Sequence, residues 1–438
     1  MQVHFQTLGC RLNEAELESW ARQFRRQGDS VVTDIEHADL VVVNTCAVTE
    51  EAVRKSRRLI RRAQRCNPQA KLVVSGCYAT LNPLESRVLP GVDLLVANQD
   101  KEKLPQLVAE KITVAAMPLI ATEPGENPLF HRGRQRAFIK VQDGCRYRCS
   151  YCIVTQARGE ERSRPIIEII DEINDLHAQG IQEAVITGVH LGGYGSDLDS
   201  NLSELISAIL EKTTIPRLRL GSLEPWDIAD DFWKLFDNSR LMPHLHLPLQ
   251  SGTDSVLRRM SRRCKTTEFQ RLVTHARQQL PELNITTDII VGFPGESDAE
   301  WRQTMEFLRQ LQFSHMHIFS YSPRPGTRAA ELPSQVDNDT KRQRSKELHQ
   351  LMSEMKSASL QAALNQSVEV LVESRVTQED GDYYVGYTPN YLRIRFPVPE
   401  KNSSLENHIV NVEVTAVDHQ NGRLTGSVLF SLPCKEKM

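Results

Sequence analysis

Short apolar runs alternate with amphipathic stretches along most of the chain, and that rhythm predicts strands and helices in turn. In the first region, residues 1–116, strands are expected at 3–6, 39–44, 71–75 and 92–97. Leu17, Trp20, Ala21 and Phe24 recur at helical spacing between the first two. Unbroken apolar strands alternating with helices imply a parallel sheet covered on both faces. Residues 117–136 carry Pro118, Pro124, Gly125 and Pro128, then Arg132, Arg134 and Arg136, and read as a linker. A second α/β region over 137–335 has expected strands at 137–141, 183–188, 217–222, 244–249, 285–291 and 315–321. One of its helices aligns Ile166, Ile169, Ile170 and Ile173 and should stop near Gly180. Eight strands would close a full barrel. Six predict a partial (β/α) barrel with a lateral gap wide enough for a large substrate. Leu348, Leu351, Met352 and Met355 mark a connecting helix within 336–365. From 366 to 431 the pattern turns to short alternating runs with turn signals at Asp380-Gly381 and Asn421-Gly422, which predicts a small antiparallel β-barrel.

Composition narrows the picture. The 438 residues include 40% hydrophobic and 25% charged positions, which excludes collagen-like, low-complexity and largely disordered chains. No run approaches the roughly 18 apolar residues of a membrane helix. The opening MQVHFQTLGC lacks a basic-then-apolar signal pattern, so a cytoplasmic protein with no membrane partner is expected. The net charge of −3 hides local patches. Arg54, Arg57, Arg58, Arg61, Arg62 and Arg65 form a helical stripe, either a phosphate-binding face or a solvated one. Arg258, Arg259, Arg262, Arg263 and Lys265 form a second basic group. The terminal barrel instead has five Lys/Arg against nine Asp/Glu, a balance of −4. Its Tyr383, Tyr384, Tyr387 and Tyr391 suit either base stacking or a core, so the barrel either orients a bound substrate weakly or packs against the rest of the chain.

The nine cysteines are an odd number and cannot all pair, and in a reducing compartment clustered cysteines bind metal or do chemistry. Cys145-x3-Cys149-x2-Cys152 follows a strand and an Asp143-Gly144 turn. Three thiolates so close can face one point, as an iron–sulfur cluster requires, with one iron left open. Zinc is the alternative, but it needs a fourth ligand that no nearby histidine supplies in familiar spacing. Cys10, Cys46 and Cys77 each fall between a strand and a helix. The carboxyl ends of parallel strands share one edge, so these thiols either converge or are three buried cysteines. The following helix N-termini are expected to lower their pKa values. Cys66, Cys264 and Cys434 match neither set. Gly188, Gly192, Gly193 and Gly195, and Gly292, Gly295 and Glu296, are either cofactor-approach points or tight turns.

The C-x3-C-x2-C run, with Tyr151 before its last cysteine, resembles the radical S-adenosylmethionine enzymes. TLGCRLNEAE, VVVNTCAVT and VVSGCYA, followed by ITGVHLGGYG, HLPLQSGTDSVLRRM, TTDIIVGFPGE and HIFSYSPRPGT, resemble the methylthiotransferase family within them. The resemblance covers nearly the whole chain, and the terminal barrel is similar to the RNA-associated TRAM domain. It implies two [4Fe–4S] clusters, one on Cys145, Cys149 and Cys152 and a second on Cys10, Cys46 and Cys77. The first would bind S-adenosylmethionine, with the backbone at Tyr151 touching its adenine, and reductive cleavage would release a 5′-deoxyadenosyl radical. The second would furnish sulfur, and a second S-adenosylmethionine the methyl group. An electron donor such as flavodoxin or ferredoxin and a sulfur donor are implied as partners. The Thr7–Asn13 segment and GYTPNYLRI look most like the branch that methylthiolates C2 of N6-threonylcarbamoyladenosine at position 37 in the tRNA anticodon loop. The alternatives are a methylthiotransferase acting on a ribosomal-protein aspartate and a non-catalytic iron–sulfur sensor that binds RNA.

Overall fold

The computed structural model describes residues 1–112, 135–399 and 404–429. Positions 117–134 of the expected linker, and Cys434, lie outside them. The first region is a parallel sheet in the order Ser30–Val31, Gln2–Thr7, Leu40–Thr45, Lys71–Gly76, Val92–Val96. The edge strand Ser30–Val31 is too short to leave a periodic signal. Central burial explains the apolar run at Leu40–Thr45. Leu40 and Val42 point to one face, packed with Trp20, Phe24, Leu104 and Val108. Val41 and Val43 point to the other, packed with Val53, Ile60 and Ala63 of the helix Glu50–Cys66. Thr49 Oγ1 caps that helix by accepting from the Ala52 N–H at 3.1 Å.

The central region holds two three-stranded parallel sheets. Arg136–Lys140, Glu183–Thr187 and Arg217–Leu220 form one; His244–His246, Asn284–Val291 and His315–Ser320 form the other. Parallel bridges at Leu218–Leu241 and Ser222–His246 join them. The result is the expected six strands in sequential order. These strands alternate in a telling way. Ile139, Ala184, Ile186, Leu218, Leu220, Leu245, Ile285 and Met316 face the outer helices and form the main core. The alternate residues Glu183, Arg219, His246, Asp288 and His317 face inward and are polar, beside the apolar Phe138, Val185 and Ile290. The inner wall is thus mixed, where the outer face is mainly apolar.

The helix Asn338–Gln361 leads to the terminal barrel, which closes through Ser367–Gln378, Gly381–Tyr387, Arg393–Pro397, Arg423–Val428 and Ile409–Asp418. Four pairings are antiparallel as expected, and Arg393–Pro397 runs parallel to Arg423–Val428. A ring of five strands cannot alternate direction all the way round, so one seam must be parallel. The loop between its second and third strands stops the N-terminal mouth of the central barrel. Tyr391 Oη accepts from Arg136 at 3.1 Å, Pro389 O from Arg219 at 2.9 Å and Tyr387 O from Arg217 at 3.0 Å. Arg219 lies 4.6 Å over the Tyr391 ring. The four tyrosines therefore divide. Tyr384 is buried in the barrel core, Tyr387 and Tyr391 fill the interface, and Tyr383 carries Arg395 at 4.5 Å.

Candidate active site

Cys10 caps the helix Arg11–Arg26, Cys77 opens the helix Cys77–Leu81, and Cys46 follows the strand Leu40–Thr45. All three stand at the carboxyl edge of one sheet. The backbone is shaped to let them meet. Gly9 has φ +110° and Gly76 φ +96°, conformations that L side chains rarely adopt. A Cβ at Gly9 would come within 2.8 Å of Cys46 Sγ, and one at Gly76 within 2.3 Å of Thr45 O. Ser56 then fixes Cys46 by accepting from its N–H at 3.0 Å and donating to its carbonyl at 2.9 Å.

Two asparagines tie this set to the loop that carries the other three cysteines. Asn13 Nδ2 donates to Leu8 O at 2.6 Å and Thr45 O at 3.2 Å, while its Oδ1 accepts from Arg158 at 2.8 Å. Asn98 Nδ2 reaches Cys77 Sγ at 3.6 Å and Ala157 O at 2.7 Å. Arg158 also donates to Glu16 at 2.9 Å and to Asp143 at 3.0 Å. The Cys145–Cys152 loop is thus clasped at both ends, by Asp143 just ahead of it and Arg158 just behind. Lys140 pairs with Asp143 at 2.9 Å, and Lys101 contacts Glu16. Burial works against both carboxylates, yet Arg158, Lys101 and Lys140 hold Glu16 down at about 2 and Asp143 well below its ordinary range. Glu102 completes the network by pairing with Lys140 at 3.3 Å, and within it the Arg158 guanidinium is the cation that feels Cys77 and Cys10.

At Cys10 and Cys46 burial outweighs the expected lowering of the thiol pKa. Burial, followed by the charges of Cys77 and Cys10, pushes Cys46 up to about 11, and Cys10 moves the same way. In the other set, burial pushes Cys145 up to about 12 and Cys152 up to about 11. Neutral thiols are favoured in both places unless a cationic inorganic core offsets the charge. Among the described residues, neither set brings its three sulfurs within 4.8 Å of one another. One tetrahedral zinc, with bonds of about 2.3 Å, needs them about 3.8 Å apart. The donor sets suit a larger polynuclear core better than a lone zinc ion.

Around Cys145, Cys149 and Cys152 the strand ends supply residues that spacing alone did not flag. His190 bonds Glu161 at 2.5 Å and Asp227 at 2.6 Å, and Tyr147 Oη donates to Asp227 at 3.3 Å. Arg262 donates to Glu224 at 2.6 Å, approaches Cys149 Sγ at 3.9 Å and covers the Trp226 ring at 4.5 Å. Tyr147, His190, Glu224, Trp226 and Asp227 carry only a positional signal, each lying within six residues of the end of an expected strand. The 258–265 basic group therefore splits. Arg262 and Arg259 are ion-paired inside, whereas Arg258, Arg263 and Lys265 are exposed. Tyr151 packs against Val256, Met260, Ile290, Phe293 and Tyr321. Glu296 accepts from the Gly292 N–H at 2.8 Å and pairs with Arg344 at 2.9 Å, the tight-turn alternative for that segment. Cys264 is buried and Cys66 exposed.

This fold and these strand-end loops define a radical S-adenosylmethionine enzyme: the Radical SAM superfamily profile matches residues 139–308. The profile described as Uncharacterized protein family UPF0004 matches residues 2–97. The chain is 37% identical to the threonylcarbamoyladenosine tRNA methylthiotransferase MtaB of Bacillus subtilis (strain 168), with 90% of each chain covered. It is 39% identical to the protein of the same name from Thermotoga maritima, over 78% of this chain and 80% of the relative. A tRNA-2-methylthio-N(6)-dimethylallyladenosine synthase of Staphylococcus saprophyticus is 32% identical over 93% of this chain and 82% of its own. The chain belongs to the radical S-adenosylmethionine tRNA methylthiotransferase family, whose superfamily uses S-adenosylmethionine and a [4Fe–4S] cluster. Its fold is also similar to that of the radical S-adenosylmethionine methyltransferase TsrM of Kitasatospora setae, with a TM-score of 0.58 and 16% identity over 75% of this chain and 77% of that one. No helix among the described residues is long and apolar enough to cross a membrane.

Proposed function

We propose that this protein is a cytoplasmic enzyme that methylthiolates C2 of N6-threonylcarbamoyladenosine at position 37 of tRNA, with an electron donor such as flavodoxin or ferredoxin. The observation that carries the reading is the pair of thiol sets clasped together by Asn13, Asn98 and Arg158. Cys145, Cys149 and Cys152 would hold the cluster that binds S-adenosylmethionine, beside Tyr151; Cys10, Cys46 and Cys77 would hold a second. Held there, such clusters would provide redox chemistry toward S-adenosylmethionine at the first set and a source of sulfur at the second. C2 of adenine has no acidic proton for a general base to remove, so a radical route is needed. The chain's own part is positional. The Asp143–Arg158 clasp sets one thiol loop against the other. Arg262, braced by Glu224, puts positive charge beside Cys149. Tyr147 and Trp226 pack edge to face at 5.4 Å beside them.

Anaerobically prepared wild type should contain about eight irons, and a Cys10→Ala, Cys46→Ala, Cys77→Ala variant about four, as expected for loss of one of two cubanes. Mass spectrometry of tRNA nucleosides from a deletion strain decides the substrate. Loss of the methylthio group from threonylcarbamoyladenosine supports the proposal. Loss from dimethylallyladenosine transfers the substrate to the second branch represented among the relatives, and an unchanged nucleoside profile rules out tRNA.

A further inference from the structure

Three adjacent strands of the central barrel turn an unusual set of side chains into its interior. His246 stands opposite Thr286, and Asp288 opposite His317, in a parallel register. Residues two apart on a strand share a face, so His315 joins His317 and Thr286 joins Asp288. The Nε2 of His246 lies 3.1 Å from Asp288, while its Nδ1 meets Thr286 Oγ1 at 2.9 Å. A polar atom from each of His246, Asp288 and His317 lies within 4.8 Å of the other two. Their neighbours on the outward face are Leu245, Ile289 and Met316, all in the apolar core. The polarity is thus confined to the inner wall.

The opposite side of this layer is supplied by the N-terminal region. Phe138 packs there with Ala15 and Val185, and the Arg11 guanidinium lies 4.7 Å over the Phe138 ring. Burial, then His246, with Arg11 adding its charge, keeps the His317 imidazole below its usual pKa. Since Arg11 follows Cys10 directly, this polar layer adjoins the N-terminal thiol set. Adenine makes the adjacency meaningful: C2 and the N6 substituent flank N1 on one edge of the ring. A base presenting C2 to the thiols necessarily presents its N6 substituent close by.

We propose that Arg11, His246, Asp288 and His317 form the socket for a polar, carboxylate-bearing acyl substituent on N6 of the target adenine, and reject an aliphatic one. The assignment rests on the function proposed above and adds to it the residues that select the substrate. Arg11 is the cation for the carboxylate. Asp288 accepts from the carbamoyl N–H or the hydroxyl, and the imidazoles supply the remaining donors and acceptors. A prenyl group in the same place would strip water from Asp288 and both imidazoles and return no hydrogen bond. Sites built to hydrogen-bond a substrate reject analogues lacking those groups far more strongly than apolar pockets reject an extra methylene.

The test uses cluster-loaded full-length protein and three anticodon stem-loop RNAs that differ only at position 37: adenosine, N6-threonylcarbamoyladenosine and N6-dimethylallyladenosine. Wild type should bind the threonylcarbamoyl RNA at least about 10-fold more tightly than the other two. A paired Arg11→Met, His317→Leu variant should lose that preference, while keeping its iron content and its affinity for the unmodified RNA. His317→Gln, which retains a hydrogen-bonding group, should keep most of the preference. Wild type with no preference, or one for the dimethylallyl RNA, overturns the socket. A preference that survives in the paired variant does so too. Failure of the functional reading shows separately, as an unchanged nucleoside profile in the deletion strain.

Discussion

The residue with the most consequences is Arg158. It lies fully buried between Glu16, Asp143 and Asn13, and so joins the two thiol-bearing regions through a single guanidinium. Removing one partner of a buried ion pair strands the others, at a cost of about 3–5 kcal/mol. Arg158→Met should lower the urea midpoint of unfolding accordingly and reduce iron content at the N-terminal set, the side toward which its charge is directed. A variant with unchanged midpoint and full iron would show that the clasp is dispensable. At this scale the sequence was half legible. The six cysteines announce themselves by spacing and by their places at strand ends. Arg158, Glu16 and Asn98 do not, because a charge or an amide in a helix looks the same whether it is solvated or buried, and only the fold decides. The thiol pKa values were misread for a similar reason: the helix N-termini were visible in the sequence, whereas burial, which outweighs them, was not.

Among the elements, the helix Glu50–Cys66 shows how far a pattern can carry. Its buried residues Val53, Ser56, Ile60 and Ala63 lie on one face. At 100° per residue, Arg54, Arg58, Arg61, Arg62 and Arg65 fall within an arc of about 100° on the opposite face, and all five are exposed. Arg57 stands to one side and pairs with Glu85. The helix begins four residues after Cys46, so the stripe starts beside one of the thiol sets. Replacing these five arginines with glutamine should weaken binding of all anticodon stem-loops alike. It should also flatten the slope of log K against log salt by up to about 3.5 to 4.5, since each lost phosphate contact removes about 0.7–0.9. An unchanged slope would mean the face is merely solvated. The strands of the central barrel were equally legible in position, and their alternation (RLRL, HLH, HMHIFS) already contained the polar part of the inner wall. Which alternate faces inward requires the closure of the sheet.

At the scale of the whole molecule, the terminal barrel is tied to the central one through charge. Glu183 opens the strand Glu183–Thr187, buried, bonded by Arg219 at 3.0 and 3.1 Å and paired with Arg136 at 3.2 Å. Burial opposes its ionisation, but Arg219 and Arg136 hold it down at about 2, below the ordinary 4.5. A depressed carboxylate stabilises the fold fully above its unfolded pKa and loses that contribution as pH falls through the folded one. The loss should therefore run from about pH 4.5 to about pH 2 and amount to on the order of 3 kcal/mol. Glu183→Gln should remove that acid-dependent component from unfolding curves; an unaltered acid limb would place the sensitivity elsewhere. The acidic balance of the terminal barrel finds a place here, since Glu373 of that barrel pairs with Arg136 at 2.8 Å.

The 388–392 loop has a consequence for access as well. Packed by Tyr391 and Pro389 against Arg136 and Arg219, it covers the amino-terminal ends of the central strands. Whatever reaches the inner wall must come from the opposite, cysteine-bearing end or from the flank where the first and last of the six strands do not pair.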